Sequence, residues 1–199
     1  MEGADPMLDA TLDVAKRVAT ILESQHVQAV VIGAIALAVH GYPRTTVDLD
    51  LAVAMAPPSL PGLADGLRRE GWLVEVNLPD AQDPLGGVIN IRAPGAYLVQ
   101  IVNFDNSPAD GFPRLVREAV LTASPLEPDG TLRVVDLPLL VAFKLYAGGS
   151  KSRSDICELL DRHPDQIDQV RERCRALGLD RRLDRILGDR EPDGGSRGR

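Results

Sequence analysis

Apolar positions recur at helical spacing near the start of the chain. Leu8, Leu12, Val14, Ala15, Val18, Ile21 and Leu22 fall on one face of a helix over residues 8–25. The period then changes. Residues 27–32 are a β-branched run that predicts a buried strand, ended by Gly33. Residues 34–40 return to a short helix, stopped by Gly41 and Pro43. Residues 46–54 predict a second strand, and the "APPSLPG" stretch breaks it before a helix over residues 60–70. Strands are expected over residues 72–76, 88–92 and 97–104, separated by Gly, Pro and Asp turns.

Beyond this point the texture is helical. Residues 112–119 read as a loop or short helix, and 132–135 as a short strand. Residues 137–147 are an apolar helix, 154–162 another, and 164–187 form one or two Arg-rich amphipathic helices. The tail over residues 188–199 has nothing to bury and is expected to be disordered. The resulting organisation is an α/β core over residues 1–112 and a mainly helical part over 113–187.

Composition narrows the class. The chain is 44% hydrophobic but only 4% aromatic, so aliphatic side chains must build the core. Its net charge of −7 repels nucleic acid at long range, so any RNA contact needs a local basic patch or a metal. Arg171, Arg173, Arg175, Arg181, Arg182 and Arg185 offer such a patch, or a solvated face paired with Glu172, Asp180 and Asp184. Cys157 and Cys174 lack CxxC spacing and read as reduced thiols. No apolar run is long enough to span a bilayer, and the expected setting is cytoplasmic.

The candidate chemistry lies in "GAIALAVHGYPRTTVDLDLAV", residues 33–53. Residues i and i+2 of a strand share a face, so Asp48 and Asp50 project together while Leu49, Leu51 and Val53 point into the packed side. Two carboxylates held this close repel one another unless a cation sits between them. Mg²⁺ suits the position, because it is held by one or two carboxylates plus substrate phosphates. Gly33, at a strand-to-helix junction, lets a phosphate approach backbone N–H groups. A phosphate seat beside a metal seat suits phosphoryl or nucleotidyl transfer.

Gly33-Ala34, a short helix and then Asp48-x-Asp50 resemble the Gly-[Gly/Ser]…Asp-x-Asp signature of the polymerase-β-like nucleotidyltransferase superfamily. More narrowly, His40, Gly41, Arg44, Thr46, Asp48 and Asp50 resemble the His-Gly-x-x-Arg-x-Thr-x-Asp-h-Asp run (h apolar) of the minimal nucleotidyltransferases and the AbiEii-type toxin group. The downstream "LLVAFKLYAGGSKSRSDICELL" resembles the second AbiEii-type motif, and together the two cover residues 25–162. The resemblance implies an α/β (α+β) nucleotidyltransferase fold, with a small mixed sheet flanked by helices and a helical C-terminal part closing the cleft. It implies that Asp48 and Asp50 bind Mg²⁺ or Mn²⁺. Asp48, Asp50, Lys144 and Asp155 would form the catalytic set. Gly33, Ala34, Arg44, Thr46, Lys144 and Lys151 would bind the nucleotide. His40 reads as a helix end and stays outside the site.

The implied activity is transfer of an NMP from an NTP to an acceptor hydroxyl. The protein would be the toxin of a toxin–antitoxin pair, acting on tRNA or protein, with a cognate antitoxin as partner. A small-molecule acceptor, as in antibiotic resistance, shares the same core chemistry. Two departures motivate an alternative, a degenerate member that binds nucleotide or a partner without turnover. Ala34 stands where the family carries Gly or Ser, and Gln100 stands where a neighbouring strand often carries a third Asp. Asp105, five residues on, falls on the opposite face by strand alternation.

Overall fold

The computed structural model describes residues 5–44, 48–80, 85–106, 111–128 and 130–188. The chain divides between Asp136 and Leu137 into two compact units. The first opens with α1 (Pro6–Ser24), whose N-cap Asp5 accepts a hydrogen bond from the Met7 N–H, with Pro6 in the first turn. There follow β1 (Val30–Ile32), α2 (Gly33–Val39), β2 (Leu49–Val53), α3 (Leu60–Arg68), β3 (Leu73–Asn77), β4 (Val88–Arg92) and β5 (Val99–Asn103). The unit closes with α4 (Gly111–Thr122), β6 (Ser124–Pro125) and β7 (Arg133–Val134).

The strands form one mixed sheet of seven, in the order β3-β4-β5-β2-β1-β7-β6. β2 runs parallel to β5 and antiparallel to β1, so it sits at the centre. One face is a continuous apolar layer of Leu49, Leu51, Val53, Val99, Ile101, Ile89, Ile91 and Val74, all buried. α1 and α3 pack on this unit with buried faces of Val14, Ala15, Val18, Leu22, Leu60, Leu63 and Leu67. The opposite face opens towards β3, where Leu73 is 61% exposed.

Buried Asn103 ties three loops together. Its Oδ1 accepts from the Met55 N–H at 3.0 Å and the Asp105 N–H at 3.3 Å, and its Nδ2 donates to Met55 O and Gly86 O at 2.8 and 3.1 Å. Gly86 is glycine for steric reasons, since a Cβ there would lie 2.5 Å from both Asn103 Nδ2 and Asp105 O.

The second unit holds α5 (Leu137–Ala147), α6 (Gly149–Arg162), α7 (Ile167–Ala176) and α8 (Asp180–Gly188). α5 is apolar on nearly every side and packs against both α6 and α7. Among the described residues no helix is long and apolar enough to cross a membrane.

The expected mixed sheet flanked by helices is present. Differences lie at the boundaries. The first compact unit runs to Asp136, and within it β7 pairs in parallel with β1. The loop or short helix expected over 112–119 is the helix α4. Its Gly111 and Pro113 sit in the first turn, where proline's missing N–H has no intrahelical partner to lose. α6 begins at Gly149 rather than 154, because Gly148 and Gly149 make the turn at positive φ and Ser-Lys-Ser-Arg then continues the helix. The tail over residues 189–199 lies outside the described residues.

Candidate active site

Gly33 is the pivot of the site. It follows the last residue of β1 and opens α2 at φ +66°, a backbone conformation that favours glycine. The Asp50 carboxyl lies directly against it. A Cβ built on Gly33 would be 2.8 Å from Asp50 Cγ and overlap Oδ2. The contact follows from register, since Ile32 pairs with Asp50 across β1 and β2. Asp48 precedes β2 by one residue, and the backbone is still paired there, with the Leu49 N–H donating to Leu98 O at 3.0 Å. Asp48 and Asp50 are half-buried, whereas Leu49, Leu51 and Val53 are buried on the apolar face.

β2 also sets what lies beside the pair. Asp50 registers with Gln100 on β5, and Gln100 with Asn90 on β4. Gln100 Nε2 donates to Asn90 Oδ1 at 2.6 Å, and both side chains are half-buried. The row ends on β3 at exposed Glu75. A neutral amide therefore stands next to Asp50. Asp105 lies two residues past the end of β5, where its N–H bonds back to Asn103 Oδ1 at 3.3 Å. Among the described residues no group of three His, Cys, Asp or Glu side chains is placed to hold a metal. The donor chemistry of Asp48 and Asp50 fits Mg²⁺ or Mn²⁺, because two half-buried carboxylates would leave the remaining positions to water and substrate phosphates.

The other expected site residues are distributed as follows. Ala34 is beside Gly33, half-buried, and adds a backbone N–H but no hydroxyl. Arg44 is half-buried a few residues before Asp48, and Thr46 lies outside the described residues. In the helical unit, Lys144 Nζ donates to Asp155 Oδ2 at 2.7 Å. The Lys144 side chain is 15% exposed and that of Asp155 only 1%. Lys151 is exposed in the first turn of α6. His40 Nε2 lies 2.8 Å from Val135 O and donates to it, pinning the end of α2 to the segment after β7. Asn90 and Asn103 are the residues that the sequence alone did not single out. The alternation of "VINIR" places Asn90 on the polar face, but only register places it beside Gln100.

Among solved structures, an antigenic nucleotidyltransferase-like protein from Paracoccidioides brasiliensis superposes with a TM-score of 0.56 at 17% identity, over 94% of this chain and 89% of that one. The fold is that of the nucleotidyltransferases. The antibiotic-resistance factor ANT(2'')-Ia superposes with a TM-score of 0.50 at 12% identity, over 92% of this chain and 97% of that one. A terminal uridylyl transferase 4 from Trypanosoma brucei overlaps more locally, with a TM-score of 0.36 at 19% identity over 57% of this chain. The chain spans about a third of that enzyme's length, 34%. No protein-family model matches the sequence. No curated protein matches it either.

Proposed function

We propose that this nucleotidyltransferase-fold chain transfers a nucleoside monophosphate from an NTP to an acceptor hydroxyl, with Asp48 and Asp50 holding Mg²⁺ or Mn²⁺. One observation carries the reading, the Asp50 carboxyl packed against Gly33 at positive φ, with Asp48 just ahead of β2. At Gly33 the absence of a Cβ lets the Asp50 carboxyl pack against the backbone where α2 begins. Asp48 and Asp50 would hold the cation, and the cation would in turn bind the triphosphate. The bound cation would offset charge building on the phosphoryl oxygens and the leaving pyrophosphate. Arg44 is proposed as a bidentate phosphate ligand. Lys144, Lys151 and Asp155 are assigned to the site on the motif resemblance.

The same resemblance supports a toxin of a toxin–antitoxin pair, with tRNA or protein as acceptor and an antitoxin as partner. Gln100 beside Asp50 favours a second reading, a protein that binds nucleotide without turnover. Incubation with each of the four α-labelled NTPs, total tRNA and cell extract, under Mg²⁺ or Mn²⁺, separates the two. A labelled acceptor that disappears with Asp48→Asn supports transfer. Metal-dependent NTP binding by calorimetry with no labelled product supports the second reading.

A further inference from the structure

We infer that Gln100, held by Asn90, is a positioning residue that orients the attacking oxygen of the acceptor, in a site that transfers without a side-chain base at this position. The inference rests on the nucleotidyl-transfer reading and deepens it.

Three facts place Gln100. It is the cross-strand neighbour of Asp50 in the parallel β2–β5 pair, about 4.8 Å away in the strand-to-strand direction. Its side chain is on the open polar face, half-buried, while Val99 and Ile101 on either side are fully buried on the other face. Its amide is held in place, because Nε2 donates to Asn90 Oδ1 at 2.6 Å. That bond uses one Nε2 hydrogen and leaves Oε1 as an acceptor with two lone pairs. With the triphosphate bound through a cation on Asp48 and Asp50, Oε1 would be the acceptor offered by Gln100 to an incoming hydroxyl.

The chemistry tolerates an amide here. Phosphoryl transfer passes through a loose transition state in which the attacking oxygen has bonded little, and most catalysis comes from alignment and charge stabilisation. The attacking hydroxyl donates its hydrogen to Gln100 Oε1, which turns an oxygen lone pair towards the α-phosphorus. The bond from acceptor oxygen to phosphorus forms as the bond from phosphorus to the bridging oxygen breaks. The electron pair leaves on pyrophosphate, and the acceptor proton passes to water once the new bond has formed. Glutamine serves GTP hydrolysis in the same way, by orienting the attacking water. Asn90 contributes by restricting the Gln100 rotamer, whose entropy would otherwise be lost in each turnover.

Water is the acceptor that can be tested without knowing the natural one. Pyrophosphate release from Mg²⁺·ATP, and from the other three NTPs, is measured alongside calorimetric NTP binding for wild type, Gln100→Leu, Gln100→Glu, Asn90→Ala and Glu75→Gln. Gln100→Leu is expected to lower turnover at least 30-fold with NTP affinity within twofold of wild type. Gln100→Glu, which restores a hydrogen-bond acceptor, should recover most of it. Asn90→Ala should fall 3- to 10-fold, and Glu75→Gln should match wild type. Melting temperatures show that each variant is folded, and if Gln100→Leu is not, the Asn90→Ala and Gln100→Glu pair decides. Unchanged turnover in Gln100→Leu, or turnover and affinity falling together, overturns the inference and leaves the nucleotidyl-transfer reading standing. Metal-dependent NTP binding with no pyrophosphate release from wild type, even with tRNA and cell extract added, also overturns it. A wild-type protein that binds no NTP under Mg²⁺ or Mn²⁺ overturns the underlying reading.

Discussion

Gly33 and Asp50 leave no room for a methyl group between them. Gly33→Ala must displace the Asp50 carboxyl or shift the backbone away from φ +66°. It is expected to cost about 2 kcal/mol in denaturant unfolding and to weaken Mg²⁺·NTP binding at least tenfold by calorimetry. Ala34→Ser, by contrast, adds a hydroxyl beside the proposed phosphate seat and should leave stability nearly unchanged. The Lys144–Asp155 pair has a different energetic signature. Lys144→Met removes the ammonium that donates to the Asp155 carboxylate, whose side chain is 1% exposed. The expected loss is about 3 kcal/mol, read from urea unfolding. An activity defect in that variant therefore has to be measured at a temperature where the protein is still folded. Asn103 holds three loops at once, and Asn103→Leu strands the Met55 and Gly86 backbone groups that it satisfies. A loss of about 3 kcal/mol is expected there as well.

At the scale of elements, the site divides into a part written locally and a part written by register. The turn at Gly33, α2 and the Asp48–Asp50 alternation all lie within one short stretch, so period and glycine placement were enough to read them. The neighbour of Asp50 was not readable in the same way. β2 and β5 are separated by α3, β3 and β4, and nothing in "YLVQIVNFD" by itself fixes Gln100 opposite Asp50 rather than one residue either way. That register comes from matching the buried rows Leu49–Val99 and Leu51–Ile101 across the sheet. β6 was missed for another reason. It is two residues long, ends in Pro125 and forms the sheet edge, where a proline is tolerated and periodicity has no length to show. The start of α6 was missed because small polar residues after a glycine pair look like loop, although Ser152, Asp155, Ile156 and Leu159 already keep helical spacing on its buried face.

Over the whole molecule, charge is unevenly divided. Residues 1–136 hold 18 acidic side chains against 9 Lys and Arg, while residues 137–188 hold 8 against 10. We propose α7 and α8, where Arg171, Arg175 and Arg181 are exposed, as the surface for a tRNA acceptor. Arg175→Glu with Arg181→Glu should weaken tRNA retention in a filter assay and flatten its salt dependence, with NTP affinity unchanged. Alkaline pH gives a second molecule-wide expectation. Burial pushes the Cys174 thiol up to about 12, with Asp180 adding to it. Hydrogen bonds to Asp5 and Glu127 raise the Tyr97 and Lys16 pKa values. All three groups keep their protons longer when folded than when unfolded. Their contributions are complete below about pH 9 and are lost as pH rises beyond it, so urea midpoints should fall steadily above that point. Native Cys174 should also resist thiol reagents that label it after unfolding.

The central pairing of β2 with β5 carries a kinetic consequence. The hairpin of β3 and β4 closes over a short loop, whereas β2 must wait for β5 to be delivered from some fifty residues away. Asp50 and Gln100 therefore meet late as the chain folds. In pulsed hydrogen exchange during refolding, amides of β3 and β4 should gain protection before those of β2. Nucleotide added at the start should leave the early phase unchanged, because the place it would occupy does not yet exist.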